Sequence, residues 1–223
     1  MMKINDLVNF YDTIDLSYKT IEQQISAYCL KFYPEKNEKV EWKCRLPLFV
    51  PAFYKYVKLN NVVPSQHNFW LYYCAENKPD LQKLKLTYEE KIGLRARVYR
   101  TYPSLVRDLH LGLYLKGMQN RLDIFYNETL DIKYGIDLLV GDTSGTTVGF
   151  ALFTKTGAGK HARTVKEFRP KKKIEIPCFE LGLDFPGSKK CGDFFLYSEK
   201  ETESILEKFH QTFKKKIPVC PKK

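Results

Sequence analysis

Apolar positions recur every three to four residues over the first hundred residues of this chain, then give way to short alternating runs. Ile14, Leu16, Ile21, Ile25, Tyr28, Leu30 and Phe32 form a loose helical stripe between Thr13 and Tyr33, and Pro34 closes it. A second helix is expected from about Pro51 to Leu59. Ser65 suits the N-cap of a third, QHNFWLYYCAEN. Its aromatic side (Phe69, Trp70, Tyr72, Tyr73) is read as core in preference to a platform for stacked bases. After Pro79 comes a short segment, DLQKLKL. Thr87 to Glu90 (TYEE) spell a capping box that opens a helix to about Tyr102.

The pattern changes at Tyr102. A new helix is expected over 103–117, with Pro103 in its first turn and Leu105, Val106, Leu109 and Leu113 on one face. Strand-like runs follow at 121–127, 133–140 and 146–154, then a glycine loop at Gly157 and Gly159. A basic helix is expected at 160–168, strands at 173–178 and 193–197, and a last helix at 199–214 carrying Ile205, Leu206, Phe209 and Phe213. The order α-β-β-β-α-β-β-α predicts an α/β or α+β fold with a mixed central sheet and flanking helices. The expected division is a helical region at 1–101 and an α/β core at 102–223.

With 223 residues, 43% hydrophobic and 14% aromatic, the chain has ample material for a core. Charge narrows the partners. The net charge is +11, and residues 155–223 hold 17 Lys and Arg against 9 Asp and Glu. Such an excess favours polyanions, nucleic acid ahead of an acidic membrane surface. Arg95, Arg97 and Arg100 on one helix, with Lys160, Arg163 and Lys171, Lys172 and Lys173, are candidate phosphate contacts. For the three arginines, ion pairs with Glu89 and Glu90 are the competing reading. The six cysteines include no C-x-x-C pair and no zinc-spaced His/Cys cluster, and neither a signal-peptide core nor a bilayer-length apolar run is visible. A cytoplasmic protein with reduced cysteines and no membrane embedding is therefore expected.

Candidate chemistry centres on 135–169. Asp137 lies within an apolar strand, where an acid is costly unless it is paired or holds a metal. Lys155 ends the next strand and could share its site. The loop TKTGAGKH fails the phosphate-loop pattern at two defining positions, Thr154 and His161, so no nucleoside triphosphate is expected there. Its glycines and Lys160 before a helix still suit an anion. His110 and His161 are candidate bases, and Asp131 is an additional carboxylate read as sitting in a solvated turn.

The α-β-β-β-α-β order, the second-strand Asp137 and the third-strand Lys155 resemble the core of the PD-(D/E)XK nuclease superfamily, the restriction-endonuclease-like enzymes. The resemblance covers roughly 102–214. It implies a magnesium-dependent (or manganese-dependent) endonuclease of restriction or phage-defence type, acting on DNA ahead of RNA, with a homodimer as one compatible assembly. Asp137 is implied as metal ligand and Lys155 as the lysine that helps activate water. Asp108, on the first helix, matches the auxiliary acid. The family's third-strand acid should stand at 153, where this chain has Phe153. Glu167, on the following helix, is the implied substitute, sharing a face with Lys160 and Arg163. The alternative is a catalytically inactive nuclease-fold protein that binds nucleic acid or a protein partner.

Overall fold

The computed structural model describes residues 7–118, 122–143, 145–156 and 175–216, with side chains to residue 212. The expected helix at 160–168 lies outside the described residues, as do Lys160, His161, Arg163, Glu167 and Lys171 to Lys173. Residue contacts divide the chain into two compact units that interleave in sequence. One draws on 14–110 and 190–195, the other on 1–13, 111–189 and 196–223. The helical unit runs past the boundary expected at 101/102 and takes in a later segment.

The first unit is helical. It contains α1 (Tyr18–Ser26), α2 (Phe49–Asn60), α3 (Gln66–Glu76) and α4 (Lys78–Lys83), together with α5 (Tyr88–Met118) as far as His110. Local signals set several helix ends. The Ser17 and Ser65 side chains accept from the N–H groups of Thr20 and Asn68. Thr87 and Glu90 exchange the reciprocal bonds of a capping box. The core is aromatic: Phe53, Phe69, Tyr73 and Tyr102 are fully buried. Ring centroids lie 5.5 Å apart for Phe53 and Phe69 and 5.9 Å for Tyr102 and Phe194.

Two expectations for this unit are corrected. The first helix covers 18–26 and not 13–33. The helices expected on either side of Pro103 are one, α5, with Pro103 inside it. Proline has no N–H for the carbonyl four residues back, which here is Tyr99. The buried Gln66 side chain makes good that loss, its Nε2 donating to the Tyr99 carbonyl at 3.0 Å.

The second unit is built on a four-stranded mixed sheet, in the order β1 (Asp123–Phe125), β2 (Leu138–Gly141), β3 (Thr147–Thr154) and β4 (Cys178–Leu183). The first three form an antiparallel meander. β4 runs parallel to β3, pairing Ala151 with Glu180 and Phe153 with Gly182. A helix, α6 (Glu128–Tyr134), precedes β2. Asn127 caps it, with its side chain accepting from Thr129 N–H, and Gly135 ends it at φ 70°.

The strand expected at 133–140 thus starts in the last two residues of α6, and β2 begins at Leu138. The strand expected at 173–178 lies later, at 178–183, and 175–177 are not strand. The 193–197 run contributes β6 (Phe194–Leu196), which pairs with β5 (Lys189–Cys191) in a separate two-stranded sheet.

Alternation along β3 and β4 gives the sheet two unlike faces. Val148, Phe150, Leu152, Leu181 and Leu183 are buried. The last helix, α7 (Glu199–Lys216), packs on β3 and β4, with Lys208 Nζ 5.1 Å from the Phe179 ring centre. On the opposite face Ala151, Phe153 and Gly182 are half-buried and Glu180 is exposed. Leu139 on that face packs with Leu130 of α6 and with Ile136. The described residues therefore form a mixed α+β fold that includes a four-stranded mixed sheet.

Candidate functional site

Asp137 stands one residue before β2. Its N–H donates to the Phe150 carbonyl at 2.9 Å, and its carboxylate Oδ2 accepts from the Leu152 N–H at 2.7 Å. The side chain thus completes the β2–β3 ladder where the backbone leaves register. A hydrogen-bonded, half-buried carboxylate answers the cost of placing an acid in an apolar strand. One oxygen is committed to this bond.

Lys155 immediately follows β3 and extends its pairing, with its N–H donating to the Leu183 carbonyl at 2.8 Å. Because β2 and β3 are antiparallel, Asp137 and Lys155 lie at the same end of adjacent strands. Gly182 shapes the lysine's course. A Cβ on Gly182 would meet Phe153 Cζ at 2.7 Å and Lys155 Cγ at 2.9 Å. The Lys155 stem and the Phe153 ring therefore both lean over the backbone of β4, on the face that carries Glu180.

Glu180 is the acid that the sequence reading misses. It pairs across from Ala151 on β4, and the Asp137 carboxylate bonds the N–H of the residue after Ala151. Two carboxylates thus flank a small side chain on this side of β3. The signal in the sequence is the alternation Phe179, Leu181, Leu183 with Glu180 and Gly182 between, concealed by placing the strand five residues early.

Asp131 differs from expectation in the other direction. It lies in α6, half-buried, with Oδ2 3.4 Å from the Tyr126 hydroxyl, and not in a solvated turn. Burial pushes the Tyr126 phenol far above the usual tyrosine range. The charges of Asp131, Tyr11, Asp137 and Glu128 add to the shift, so Asp131 and Asp137 act on the same hydroxyl. Tyr11 reaches this neighbourhood because Gly112 of α5 leaves room: a Cβ there would collide with the Tyr11 hydroxyl.

The remaining candidates fall elsewhere. Asp108 belongs to α5 in the helical unit. His110 is buried there, with Nε2 2.7 Å from Glu22 Oε1, a structural pairing in place of an exposed base. The three α5 arginines have partners within their own unit. Arg95 lies over the rings of Tyr33 and Tyr99 and donates to the Tyr99 hydroxyl. Arg97 donates to the Val40 carbonyl and sits 3.8 Å from Glu41. Arg100 donates to the carbonyls of Tyr33 (3.0 Å) and Glu35 (2.8 Å) and to the Glu41 carboxylate. They fasten the 33–41 segment to α5, with Glu41 as their carboxylate partner instead of the Glu89 and Glu90 of the competing reading.

Among the described residues, no group of three or more His, Cys, Asp or Glu side chains is placed to hold a metal ion. No described helix is long and apolar enough to cross a membrane. Against protein-family models, curated proteins and solved structures, the chain has no match.

Proposed function

We propose that the sheet-based unit is a nuclease-like domain that hydrolyses phosphodiester bonds in DNA with the help of a divalent cation, magnesium or manganese. The observation that supports this reading most is the antiparallel meander joined to a parallel fourth strand, with Asp137 and Lys155 at one end of its central pair. This is the arrangement that the resemblance to PD-(D/E)XK nucleases leads one to expect. It rests on topology and two positions, and the third-strand acid of that family is Phe153 here.

The donor chemistry fits a hard cation. Magnesium uses one or two carboxylates, keeps several waters and takes further oxygens from a substrate phosphate. Asp137 offers one carboxylate oxygen, and Glu180 supplies the second carboxylate in place of residue 153. Glu167, outside the described residues, is the competing donor. Bound there, the cation would make water acidic and offset charge on the phosphate. Lys155 puts its ammonium beside the same row, where it stabilises negative charge as it develops. Asp131, held by Tyr126, adds negative potential next to Asp137.

Incubation of the protein with supercoiled and linear DNA and with RNA, in magnesium and in manganese, tests the reading. Cleavage that Glu180→Gln removes and Glu167→Gln spares supports Glu180 as the second ligand; the reverse assigns Glu167.

A second reading has its own observation. Phe153 occupies the acid position, and Asp137 satisfies a backbone N–H as a structural acid would. On that reading the unit is a catalytically inactive nuclease fold that binds nucleic acid. Binding without cleavage under either metal selects it.

A further inference from the structure

Residues 31–45 of the helical unit read KFYPEKNEKVEWKCR: five bases, three acids and three aromatic rings. The two ends of this loop meet at one guanidinium. Arg100 donates to the carbonyls of Tyr33 and Glu35 near its start and to the carboxylate of Glu41 near its end. Arg97 holds the Val40 carbonyl. Gln66 anchors the approach, accepting from the Lys31 N–H at 2.8 Å and donating to the Lys31 carbonyl at 3.1 Å. Asn37 packs against α5 where Gly93 leaves space, its Cβ 2.5 Å from where a glycine Cβ would stand. The segment, which runs into a helical turn at Lys39–Lys43, is thus fastened at several points between Lys31 and Glu41.

This fixing turns two large rings outward. Phe32 and Trp42 are the residues immediately outside the Tyr33–Glu41 pair that Arg100 gathers, and they are 79% and 58% exposed. Lys31, Lys36, Lys43 and Arg45, close to them in sequence, are exposed as well. Of the three acids, Glu41 is spent on Arg97 and Arg100. Glu38 meets Lys43 in an exposed pair at 2.9 Å, the kind that water and salt screen to little effect. Two rings this exposed, on a segment held by half-buried arginines, leave apolar area in water.

We infer that the Phe32–Trp42 loop is a stacking platform for single-stranded nucleic acid. A ring flanked by lysine and arginine suits a base with its phosphate on either side. A duplex keeps its base faces stacked on one another, so it offers such rings no partner. The inference rests on reading the chain as a nucleic-acid-acting protein, but it uses none of the residues of the proposed cleavage site.

Tryptophan fluorescence tests it, because the chain has two tryptophans, Trp42 and Trp70. Trp70→Phe in an Asp137→Asn background, with EDTA present, leaves Trp42 as the sole reporter and removes metal-dependent cleavage from the measurement. Titration with oligothymidylate should quench the emission to saturation, with affinity that falls as salt rises. Phe32→Ala should weaken binding by roughly fivefold or more, since each stacked base contributes at least that much. Should the Trp70 variant misfold, anisotropy of a labelled oligonucleotide with the wild type, Trp42→Ala and Phe32→Ala gives the same comparison. No quenching at low salt, or affinity unchanged by both substitutions, overturns the inference. So does a concentration-dependent dimer lost in Trp42→Ala, which would give the rings to a second copy. Cleavage by the wild type without quenching would overturn the platform and leave the proposed activity standing.

Discussion

Gly182 is the residue at which packing and proposed chemistry meet. Its missing side chain lets the Phe153 ring and the Lys155 stem lie on β4. Gly182→Ala should displace both, at a cost of about 1–3 kcal/mol of stability from overpacking. A modest fall in melting temperature with a larger loss of cleavage would locate Lys155 in the site. Equal small losses would make the contact structural only. Cys74 supplies a check independent of function. Burial pushes its thiol up to about 11, whereas Cys29 and Cys178 are exposed. Only the thiolate reacts, so alkylation of Cys74 at pH 8 should be roughly two orders of magnitude slower than that of an ordinary thiol and should climb with pH towards 11. The raised folded-state value also means that the unfolded chain loses this proton first. The thiol's contribution to stability is therefore present at neutral pH and declines once pH passes the ordinary thiol range. Site-resolved mass spectrometry across a pH series reads the rate.

Among the elements, those with local signals are the ones legible in the chain. Ser65 and the Thr87–Glu90 box mark helix starts because a side chain two or three residues away does the capping. Pro103 misleads for the opposite reason. What lets α5 continue through it is Gln66, 33 residues before the Tyr99 carbonyl it bonds, and no local rule reports that. β4 is misplaced because KIEIPC is as strand-like as CFELGL by composition, and pairing with β3 decides between them. Glu180 is lost with that choice. Asn127 and Gly135 do bracket α6 by ordinary capping rules, against the alternating look of the residues between. The Gln66 account has a direct test. Gln66→Ala leaves the Tyr99 carbonyl and both Lys31 backbone groups without partners and should cost about 2–3 kcal/mol. Pro103→Ala restores an N–H to Tyr99, so it should recover part of the loss in the double variant, a coupling that a denaturation cycle measures. Strict additivity would contradict the account.

At the scale of the whole molecule, charge separates structural from functional bases. Arg95, Arg97 and Arg100 look like a phosphate-binding row in the sequence, and the fold spends them on tyrosine rings, carbonyls and Glu41. Their density was legible and their use was not, because their partners come from residues 33–41, more than fifty positions away. The net charge of +11 remains, weighted towards 155–223. Binding of nucleic acid should therefore be strongly salt-dependent. With about six phosphates neutralised, affinity should fall by roughly a thousandfold between 50 and 200 mM salt. Substituting the three α5 arginines should lower stability more than it changes that slope, and a flat salt response would rule out the electrostatic mode.

The central claim is that Asp137 serves a metal-dependent phosphodiester cleavage and does more than complete a strand ladder. Its most direct test is cleavage and binding measured side by side for the wild type and Asp137→Asn, in magnesium and in EDTA. Asparagine keeps an oxygen that can accept from the Leu152 N–H, so the fold should survive the change. The account predicts cleavage by the wild type in magnesium alone, none by Asp137→Asn, and nucleic-acid affinity in the variant equal to or higher than in the wild type. Cleavage that persists in Asp137→Asn, or none by the wild type under either magnesium or manganese, would contradict it.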